Sequence, residues 1–150
     1  MKHSTPEAAF AARTEWRGDC LEWTGAPTEK GYGALRVNGT SVLAHRYAYE
    51  QAYGEIPDGR MVDHACHNRL CVRKEHLRLA TRSQNGQNRR GPTSRSTTGA
   101  RNVQLYKGRW RTRVRHAGRL YGGEHGTKEE AMAEAEALRI KLFGEFAGGA

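Results

Sequence analysis

The period of the hydrophobic pattern changes along the chain and predicts where its helices and strands lie. Two short runs with apolar residues flank Asn38-Gly39, a dipeptide that is typical of a tight hairpin turn. Residues Ala44–Tyr53 then carry apolar side chains at helical spacing and end at Gly54, which favours a helix. The other elements predicted in this half are an irregular hairpin, Met61–Cys66 with Cys71–Leu79, and a short polar helix, Thr81–Arg90.

The second half shows a pattern of short strands followed by one amphipathic helix. The three predicted strands, separated by glycine-containing turns, are Asn102–Tyr106, Arg109–Arg115 and Arg119–Gly122. Thr127 precedes a helical pattern and Glu130 follows Thr127 by three positions, which is the spacing of a capping box. The apolar residues of this helix share one face, so we expect that face to pack against the sheet. These residues are Ala131, Ala135, Leu138 and Leu142.

A shift in composition separates the two halves. Gly91–Gly99 is a stretch of small, polar and turn-forming residues. We therefore predict a first domain over residues 1–90, a linker over 91–98 and a second domain over 99–148. The predicted fold class is α+β, and its second domain is a small three-stranded antiparallel sheet packed on one helix.

The charge balance indicates a polyanionic partner. The chain has 25 Lys and Arg against 16 Asp and Glu, a net charge of +9, and a pI near 9.9. Nucleic acid is the partner that this balance favours, and a membrane surface is the weaker alternative. No apolar run is long enough for a transmembrane helix, and residues 1–4 lack an apolar signal segment. We therefore expect a soluble, cytoplasmic protein.

The cysteines indicate a metal site. Three cysteines are an odd number in a chain without a predicted secretory signal, which argues against a disulfide framework. Cys66, Cys71 and His76 have four residues in each interval between them, and their side chains are zinc-type ligands. Cys20 would supply the fourth ligand of a tetrahedral site. The alternative is that these cysteines are buried free thiols.

A second set of chemistry-bearing residues, Asp63, His64 and Asn85, lies around this pattern. Carboxylate and amide oxygens suit a hard cation such as Mg²⁺ or Mn²⁺. A neutral imidazole beside a metal-bound phosphate can take a proton from water, so the set indicates phosphodiester hydrolysis. The alternatives are that His64 is a structural buried histidine, that Asn85 caps a helix and that Asp63 only orients His64.

The middle strand predicted in the second half has two different faces. The residues of one face are Arg109, Arg111, Arg113 and Arg115, and those of the other, which would pack on the helix, are Trp110, Thr112 and Val114. The sequence contains no Asp or Glu between Arg89 and Gly123, so the arginines would repel one another without a polyanion. The alternative is a solvated strand face.

The spacing His64-x-Cys66-x4-Cys71-x4-His76, followed by Asn85, resembles the ββα-metal (HNH) nucleases and, among them, the His-Cys-box branch. The resemblance extends over residues 20–90 and implies a zinc-stapled ββα-metal nuclease module. The implied roles are His64 as general base, Asn85 as a ligand of the catalytic ion, and Cys20, Cys66, Cys71 and His76 as ligands of a structural Zn²⁺.

The same resemblance assigns further residues. Asp63 matches the metal-binding aspartate of phage-type HNH homing nucleases. An arginine that stabilises the transition state is expected in such sites, and Arg46 and Arg36 are its candidates. The catalytic ion implied by the resemblance is Mg²⁺ or Mn²⁺.

The second half resembles the Apetala/ethylene-response-factor DNA-binding domain over residues 98–147. The segments that carry this resemblance are Gly99–Val103, Gly108–Trp110, Gly118-Arg119, Thr127–Ala131 and Phe143–Ala147. It implies that a three-stranded sheet enters the DNA major groove with the helix behind it. The residues expected to contact DNA are Gln104, Tyr106, Lys107, Arg109, Arg111, Arg113, Arg115 and Arg119.

Together these resemblances imply a phage-type homing endonuclease that hydrolyses phosphodiester bonds at a recognised site in double-stranded DNA. We expect no small-molecule substrate and no membrane contact. One active site per chain implies nicking by a monomer or double-strand cleavage by a homodimer. If the gene is phage-borne, the expected location is the cytoplasm of a bacterial host. Two alternatives stay open: a non-catalytic, sequence-specific DNA-binding regulator on a zinc-stapled scaffold, and a protein that binds or cleaves RNA.

Overall fold

The fold is given by a computed structural model that describes residues 5–149. Residues 1–4, on which the expected lack of a signal segment rests, lie outside the described part. By its internal contacts the chain divides after Arg82 into two units. Both units combine helices with small antiparallel sheets, in agreement with the predicted α+β class. None of the described helices is long and apolar enough to cross a membrane.

Antiparallel hairpins and two helices make up the first unit. Its elements are α1 (Pro6–Ala11), β1 (Thr14–Arg17), β2 (Cys20–Trp23), β3 (Ala34–Val37), β4 (Thr40–Leu43), α2 (Ala44–Tyr53), β5 (Met61–His64) and β6 (Leu77–Ala80). Strand β1 pairs with β2, β3 with β4, and β5 with β6. The predicted hairpin at Asn38-Gly39 and the predicted helix Ala44–Tyr53 are both confirmed.

The hairpin formed by β5 and β6 is shorter than the predicted one. Its second strand begins at Leu77 and not at Cys71, because Cys71 instead forms a β-bridge with Glu22 of β2. Residues 65–76 are therefore a long connection between the strands, and this connection includes a 3₁₀ turn at Lys74–His76. We call residues 65–76 the β5–β6 loop.

The core of the first unit forms around Trp23, whose residue surface is 2 % exposed. The other buried apolar residues of this core are Leu35, Ala44, Tyr47, Ala48, Ile56, Val62, Val72 and Leu77. Gly33 lies so close to the indole that a Cβ built there would be 2.6 Å from its ring atoms. The close approach of this backbone to Trp23 therefore requires glycine.

Helix α1 is an element that the hydrophobic pattern did not predict. Thr5 caps it, since its side-chain oxygen accepts a hydrogen bond from Ala8 N over 3.2 Å. The ring of Phe10 lies 5.8 Å from the indole of Trp23 and 5.4 Å from the ring of Tyr47. A helix of six residues does not persist alone, so tertiary packing through Phe10 stabilises α1.

The second unit combines small antiparallel sheets with one long helix. Its elements are α3 (Arg82–Gln87, which begins at the last residue of the first unit), β7 (Val103–Tyr106), β8 (Arg109–Thr112), β9 (Val114–His116), β10 (Arg119–Tyr121), β11 (Glu124–His125) and α4 (Lys128–Phe143). Strand β8 lies between β7 and β11, and β9 pairs with β10. The predicted linker residues 91–98 lie inside this unit.

Helix α4 packs on the sheet through its alanine face. Ala131 and Ala135 are fully buried, and the hydroxyl of Thr112 donates to the carbonyl oxygen of Ala131 over 2.8 Å. The predicted capping box is confirmed, because the side chains of Thr127 and Glu130 each accept a hydrogen bond from the other residue's backbone N–H. Local capping and a narrow apolar face together place this helix.

The middle and last strands depart from the prediction. Strand β8 ends at Thr112 and β9 begins at Val114, so the predicted continuous middle strand is interrupted at Arg113. The last strand does not end at Gly122 but resumes as β11, up to His125. Gly122 has a φ of +121°, and a Cβ there would collide with the backbone of Thr112. The backbone of Gly122 therefore approaches that of Thr112 closely at the point where the chain bends between β10 and β11.

Candidate functional site

Strand β2 brings Cys20 to the β5–β6 loop. The N–H of Trp23 donates to the carbonyl of Leu70 over 2.8 Å, and the N–H of Val72 donates to the carbonyl of Leu21 over 2.7 Å. These backbone hydrogen bonds join two segments that are far apart in sequence. The predicted upstream ligand therefore reaches the ligands of the loop.

The four predicted zinc ligands meet in one place, which we call the Cys/His cluster. The ligand atoms of Cys20, Cys66, Cys71 and His76 all lie within 4.8 Å of one another. The Nδ1 of His76 is 3.6 Å from the sulfur of Cys20 and 3.5 Å from the sulfur of Cys71. The hydrogen bond between Cys71 and Cys66 lowers the pKa of Cys66, which favours the thiolate form that binds metal, and raises the pKa of Cys71. The cluster is thus a candidate metal-binding site.

A residue outside the predicted set, Asp19, orients His76. The carboxylate of Asp19 accepts a hydrogen bond from Nε2 of His76 over 3.1 Å, and Nδ1 of the same ring lies beside the sulfur atoms. The hydrogen bond and the charge of Arg73 lower the pKa of Asp19, so the carboxylate stays ionised. A carboxylate in this place fixes the ring of a histidine ligand. The sequence offers one indication of this role, which is that Asp19 directly precedes the predicted ligand Cys20.

His64, the predicted general base, ends β5 with 6 % of its surface exposed. Its Nε2 lies 3.1 Å from the carbonyl oxygen of Cys71. Because a carbonyl oxygen only accepts, this contact places the proton on Nε2 and the lone pair on Nδ1. Burial lowers the pKa of His64, so its imidazole is neutral at neutral pH. A neutral, oriented imidazole is the form that a general base requires.

The rings of His45 and Tyr32 pack against His64. Their centroids lie 4.7 Å and 6.1 Å from the His64 centroid, and 5.2 Å from each other. Burial lowers the pKa of His45 to about 3, and within residues 5–149 its Nδ1 has no hydrogen-bond partner. His45 therefore stays neutral beside His64. No sequence signal distinguishes such a histidine from one that only fills a core.

Asp63 is buried as well, with 5 % of its surface exposed. Its carboxylate accepts a hydrogen bond from Nε of Arg78 over 3.0 Å, and the two residues are cross-strand partners on β5 and β6. The guanidinium compensates the buried negative charge. The structure thus shows an ion pair for Asp63, and its metal ligation stays a prediction.

The arginine that sequence reasoning missed at this site is Arg69. Its guanidinium lies 5.4 Å from the ring centroid of Tyr32, and its charge adds to the burial that lowers the pKa of His64. The two predicted candidates, Arg46 and Arg36, are exposed, as Arg69 is. Arg69 donates to the carbonyl oxygen of Lys30 over 2.8 Å, and Arg36 donates to a backbone carbonyl in the turn of its own hairpin over 3.2 Å. Spacing could not identify Arg69, because the fold decides where a loop residue lies.

Asn85, the predicted ligand of the catalytic ion, lies on α3 and belongs to the second unit. Its side chain is half-buried. The residue is therefore held on a helical turn and not in an irregular loop. Its metal ligation stays a prediction.

The arginine-bearing face of the second unit is less uniform than predicted. Arg111 donates to the carboxylate of Glu124 over 2.6 Å, and its guanidinium lies 3.9 Å from the ring centroid of Tyr106. The expected lack of acids near these arginines is thus wrong for Arg111, because the last strand continues to Glu124. The other residues predicted to contact DNA are exposed or half-buried, namely Gln104, Lys107, Arg109, Arg113, Arg115 and Arg119.

A groove of about 360 Å³ lies in the same unit. Its lining includes no acidic residue and four arginines, Arg89, Arg101, Arg113 and Arg115. Three residues of the predicted linker also line it, namely Pro92, Thr93 and Ser96. A concave cationic surface of this kind attracts phosphate groups.

A comparison with protein families gives one match, over residues 42–87, to the family described as HNH endonuclease. The matched segment includes His64, the two cysteines of the β5–β6 loop, His76 and Asn85. It therefore contains most of the residues that the spacing singled out.

Proteins of Escherichia phage T7 are similar to this chain. Protein 7.7 is 46% identical over 69 residues, which are 46% of this chain and 53% of that protein. Protein 2.8 is 38% identical over 68 residues, 44% of this chain and 45% of that protein. The chain thus spans about half the length of these two relatives. Protein 3.8 is 32% identical over 105 residues, 69% of this chain and 86% of that protein. No solved structure matches the chain.

Proposed function

Because the chain belongs to the phage protein family that includes Protein 3.8, and because its residues 42–87 match the HNH endonuclease family, we propose that it is a DNA endonuclease. The proposed reaction is the hydrolysis of phosphodiester bonds at a recognised site in double-stranded DNA. The observation that carries the proposal is the state of His64, which is buried, neutral and held by the Cys71 carbonyl inside the matched segment.

In this proposal His64 acts as the general base. Its Nδ1 takes a proton from the water molecule that attacks the phosphorus atom, while Nε2 stays bonded to the carbonyl of Cys71. The rings of His45 and Tyr32 shield the imidazole and limit its rotation. Because His45 is neutral, it does not oppose the positive charge that His64 gains during the reaction.

The donor atoms of two residue sets fit two kinds of metal ion. Asp63 and Asn85 offer carboxylate and amide oxygens, which fit a catalytic Mg²⁺ or Mn²⁺. Such an ion supplies charge stabilisation at the phosphate and the leaving oxygen. The sulfur and imidazole donors of the Cys/His cluster fit a structural Zn²⁺, which would hold β2 to the β5–β6 loop.

We assign the cationic contact to the scissile phosphate to Arg69. Its charge acts on His64, and the hydrogen bond from its Nη1 to the carbonyl of Lys30, together with the ring of Tyr32, holds the guanidinium in place. Arg46 remains the second candidate, because its charge acts on the neighbouring His45. An arginine beside the base would stabilise the charge that develops on the phosphate.

The second unit is proposed to bind the DNA that the first unit cuts. The exposed strand arginines and the groove lined by arginines support this assignment, as does the resemblance to the Apetala/ethylene-response-factor domain. The homing type of activity, cleavage of both strands by a homodimer, and action in the cytoplasm of a bacterial host belong to the same proposal. These finer parts rest on the sequence resemblance.

The proposal is tested by cleavage of a randomised duplex library with Mg²⁺, comparing the wild type with His64→Ala. We expect the variant to lose about 100- to 10,000-fold in cleavage rate, because it lacks the general base. Its affinity for duplex DNA, measured in EDTA, should stay close to that of the wild type. Added imidazole should restore part of the cleavage, because it replaces the missing base.

Three outcomes would contradict parts of the proposal. A His64→Ala variant that cuts as fast as the wild type contradicts the assignment of the base. Enrichment of sequences by binding to both proteins, without cuts by either, favours the alternative of a non-catalytic DNA-binding regulator. Stronger binding of structured RNA than of duplex DNA, measured in competition, contradicts the choice of DNA as partner.

A further inference from the structure

We propose that Arg101 is a positioning residue that fixes α3, and through it Asn85, from the core of the second unit. The inference rests on the proposed function, in which Asn85 is a ligand of the catalytic ion. It adds that the core of the second unit supports a nuclease residue, besides carrying a surface for DNA.

Helix α3 has little to stabilise it by itself. It consists of six residues with the sequence RSQNGQ, and none of them is buried. Helices this short do not persist without tertiary contacts, and a glycine inside one, here Gly86, weakens it further. Contacts that hold the ends of α3 therefore help to fix the position of Asn85.

Arg101 supplies such contacts at the C-terminal end of α3. Its Nη2 donates to the carbonyl oxygen of Gln87 over 2.6 Å, and its Nη1 donates to the carbonyl oxygen of Arg89 over 2.9 Å. The same Nη1 donates to the carbonyl oxygen of Ala147 over 2.9 Å. The carbonyl of Gln87, the last residue of α3, also accepts a hydrogen bond from Arg89 N over 2.8 Å. One guanidinium therefore adds a second bond at the end of the helix and ties α3 and the backbone after it to the C-terminal segment.

Arg101 is built into the core of its unit. Only 6 % of its surface is exposed, and burial lowers the pKa of its guanidinium to about 10. Its own carbonyl oxygen accepts a hydrogen bond from Arg139 of α4 over 3.5 Å. The planar fork of donors on an arginine can reach several carbonyls at once, which a lysine ammonium cannot do with the same geometry. Both Nη atoms bond internal carbonyls, so Arg101 adds positive charge to the groove but directs its donors to the backbone.

Gly148 shows how closely this junction is packed. A Cβ at Gly148 would collide with the carbonyl oxygen of Arg89 and would lie 2.6 Å from Nη1 of Arg101. The φ of Gly148 is +69°, which also favours glycine. The backbone after α3 and the C-terminal segment are therefore held at a fixed separation, with the guanidinium of Arg101 between their carbonyls.

The test compares Arg101→Gln with Arg109→Gln, which removes the same charge from an exposed strand position. We measure the Mg²⁺ concentration for half-maximal cleavage, the DNA affinity in EDTA, and hydrogen exchange of the amides in residues 84–89. Arg101→Gln should raise the Mg²⁺ requirement about tenfold, as the loss of a supporting contact does at a metal site. It should also accelerate amide exchange in α3 about tenfold. Arg109→Gln should weaken DNA binding and change neither of these two quantities.

Gly86→Ala provides a rescue that a direct phosphate contact would not show. A Cβ at Gly86 meets no atom within 4 Å, so alanine fits there. Alanine strengthens helix formation about fivefold relative to glycine. Adding Gly86→Ala to Arg101→Gln should therefore recover about threefold in Mg²⁺ requirement and slow the exchange of α3, although the guanidinium is still missing.

The inference is wrong if Arg101→Gln keeps both the exchange rate of α3 and the Mg²⁺ requirement of the wild type. It is also wrong if Arg101→Gln lowers DNA affinity together with cleavage and the added Gly86→Ala restores neither quantity. That result would mean that Arg101 contacts DNA directly. If Arg101→Gln does not fold, Gly148→Ala disturbs the same junction and repeats the test. Failure of the proposed function looks different: Asn85→Ala then leaves the metal dependence of cleavage unchanged, while the exchange of α3 still responds to Arg101→Gln.

Discussion

The two units stabilise small cores in different ways. The first unit packs hairpins and two helices around Trp23 and joins β2 to the β5–β6 loop at the Cys/His cluster. The second unit packs one capped helix on a bent sheet, with a core of small side chains such as Ala131 and Ala135. The first unit therefore depends on contacts between segments far apart in sequence, and the second depends more on local propensity.

This difference explains why the candidate catalytic histidine lies in the first unit and the exposed DNA-binding arginines lie in the second. In the first unit the β5–β6 loop pairs with β2 only through the bridge between Glu22 and Cys71, which leaves the carbonyl of Cys71 available to orient His64. In the second unit the strand backbone is paired, so its exposed side chains offer charge, as Arg109 does. A loop held by hydrogen bonds to a distant strand suits a site that needs exact orientation, and a regular strand face suits binding to a repeating polyanion.

The largest expected effect separates the two units by removing one cysteine. Cys71→Ser should unfold the first unit, because zinc binding in small domains carries about 10 kcal/mol or more of folding free energy. Helix α4 of the second unit should stay formed, because its caps and its alanine face are local. Zinc content together with hydrogen exchange resolved by segment measures both. Unchanged zinc content and melting temperature would contradict the zinc assignment. Loss of α4 together with the first unit would contradict the local origin of the stability of α4.

Acid should also affect the first unit more than the second. The pKa of His45 falls from 6.5 to about 3 through burial, so its stabilising neutral state is intact above pH 6.5 and is lost as the pH falls toward 3. At pH 5 this costs about 2 kcal/mol of the free energy of unfolding. Urea unfolding at pH 7 and pH 5 measures the loss, and His45→Phe should reduce it. An equal loss in wild type and His45→Phe would show that other groups cause it.

A smaller effect tests the local origin of stability in the second unit. Thr127→Ala removes the side-chain acceptor of the capping box and should lower the free energy of unfolding by about 1 kcal/mol. Thr127→Ser keeps a hydroxyl and should behave like the wild type. Thermal unfolding followed by circular dichroism distinguishes them. A loss of equal size in both variants would mean that the methyl group, and not the cap, is responsible.

The smallest expected effect compares two arginines on one strand. Arg109 is exposed and, within residues 5–149, makes no ion pair, whereas Arg111 is paired with Glu124. Arg109→Gln should reduce the slope of DNA affinity against salt concentration by about 1. Arg111→Gln should reduce it less, because Glu124 already neutralises part of that charge. Binding titrations at several salt concentrations provide the slopes, and equal reductions would rule out this difference.

Patterning predicted those parts of the fold that local sequence determines. The hairpin at Asn38-Gly39, helix α2 and the capped helix α4 each carry a turn, a period or a cap within a few residues. Helix α1 and the bend at Gly122 were missed, because packing of Phe10 and a close approach to Thr112 determine them. These contacts join distant segments, so no window of the sequence contains both partners.

The candidate site shows the same limit. Spacing singled out Cys66, Cys71 and His76, Cys20 was added as the remaining cysteine, and the structure brings the four together. It did not identify Asp19, His45 or Arg69, whose chemistry depends on neighbours that the fold supplies. Nor did it anticipate that Glu124 pairs with Arg111, since this contact depends on the register of β8 and β11. The spacing of ligands can be read within a short stretch of sequence, whereas the supporting contacts join residues that are far apart in it.

The two contacts of Cys71 have a consequence for how this domain can diverge or be redesigned. Its sulfur belongs to the Cys/His cluster, and its backbone carbonyl holds the proton of His64 in place. Replacing the metal site by an apolar core would therefore have to preserve the path of the main chain at this residue. The metal-binding cluster and the support of His64 both depend on Cys71, so a change in the position of this residue affects both.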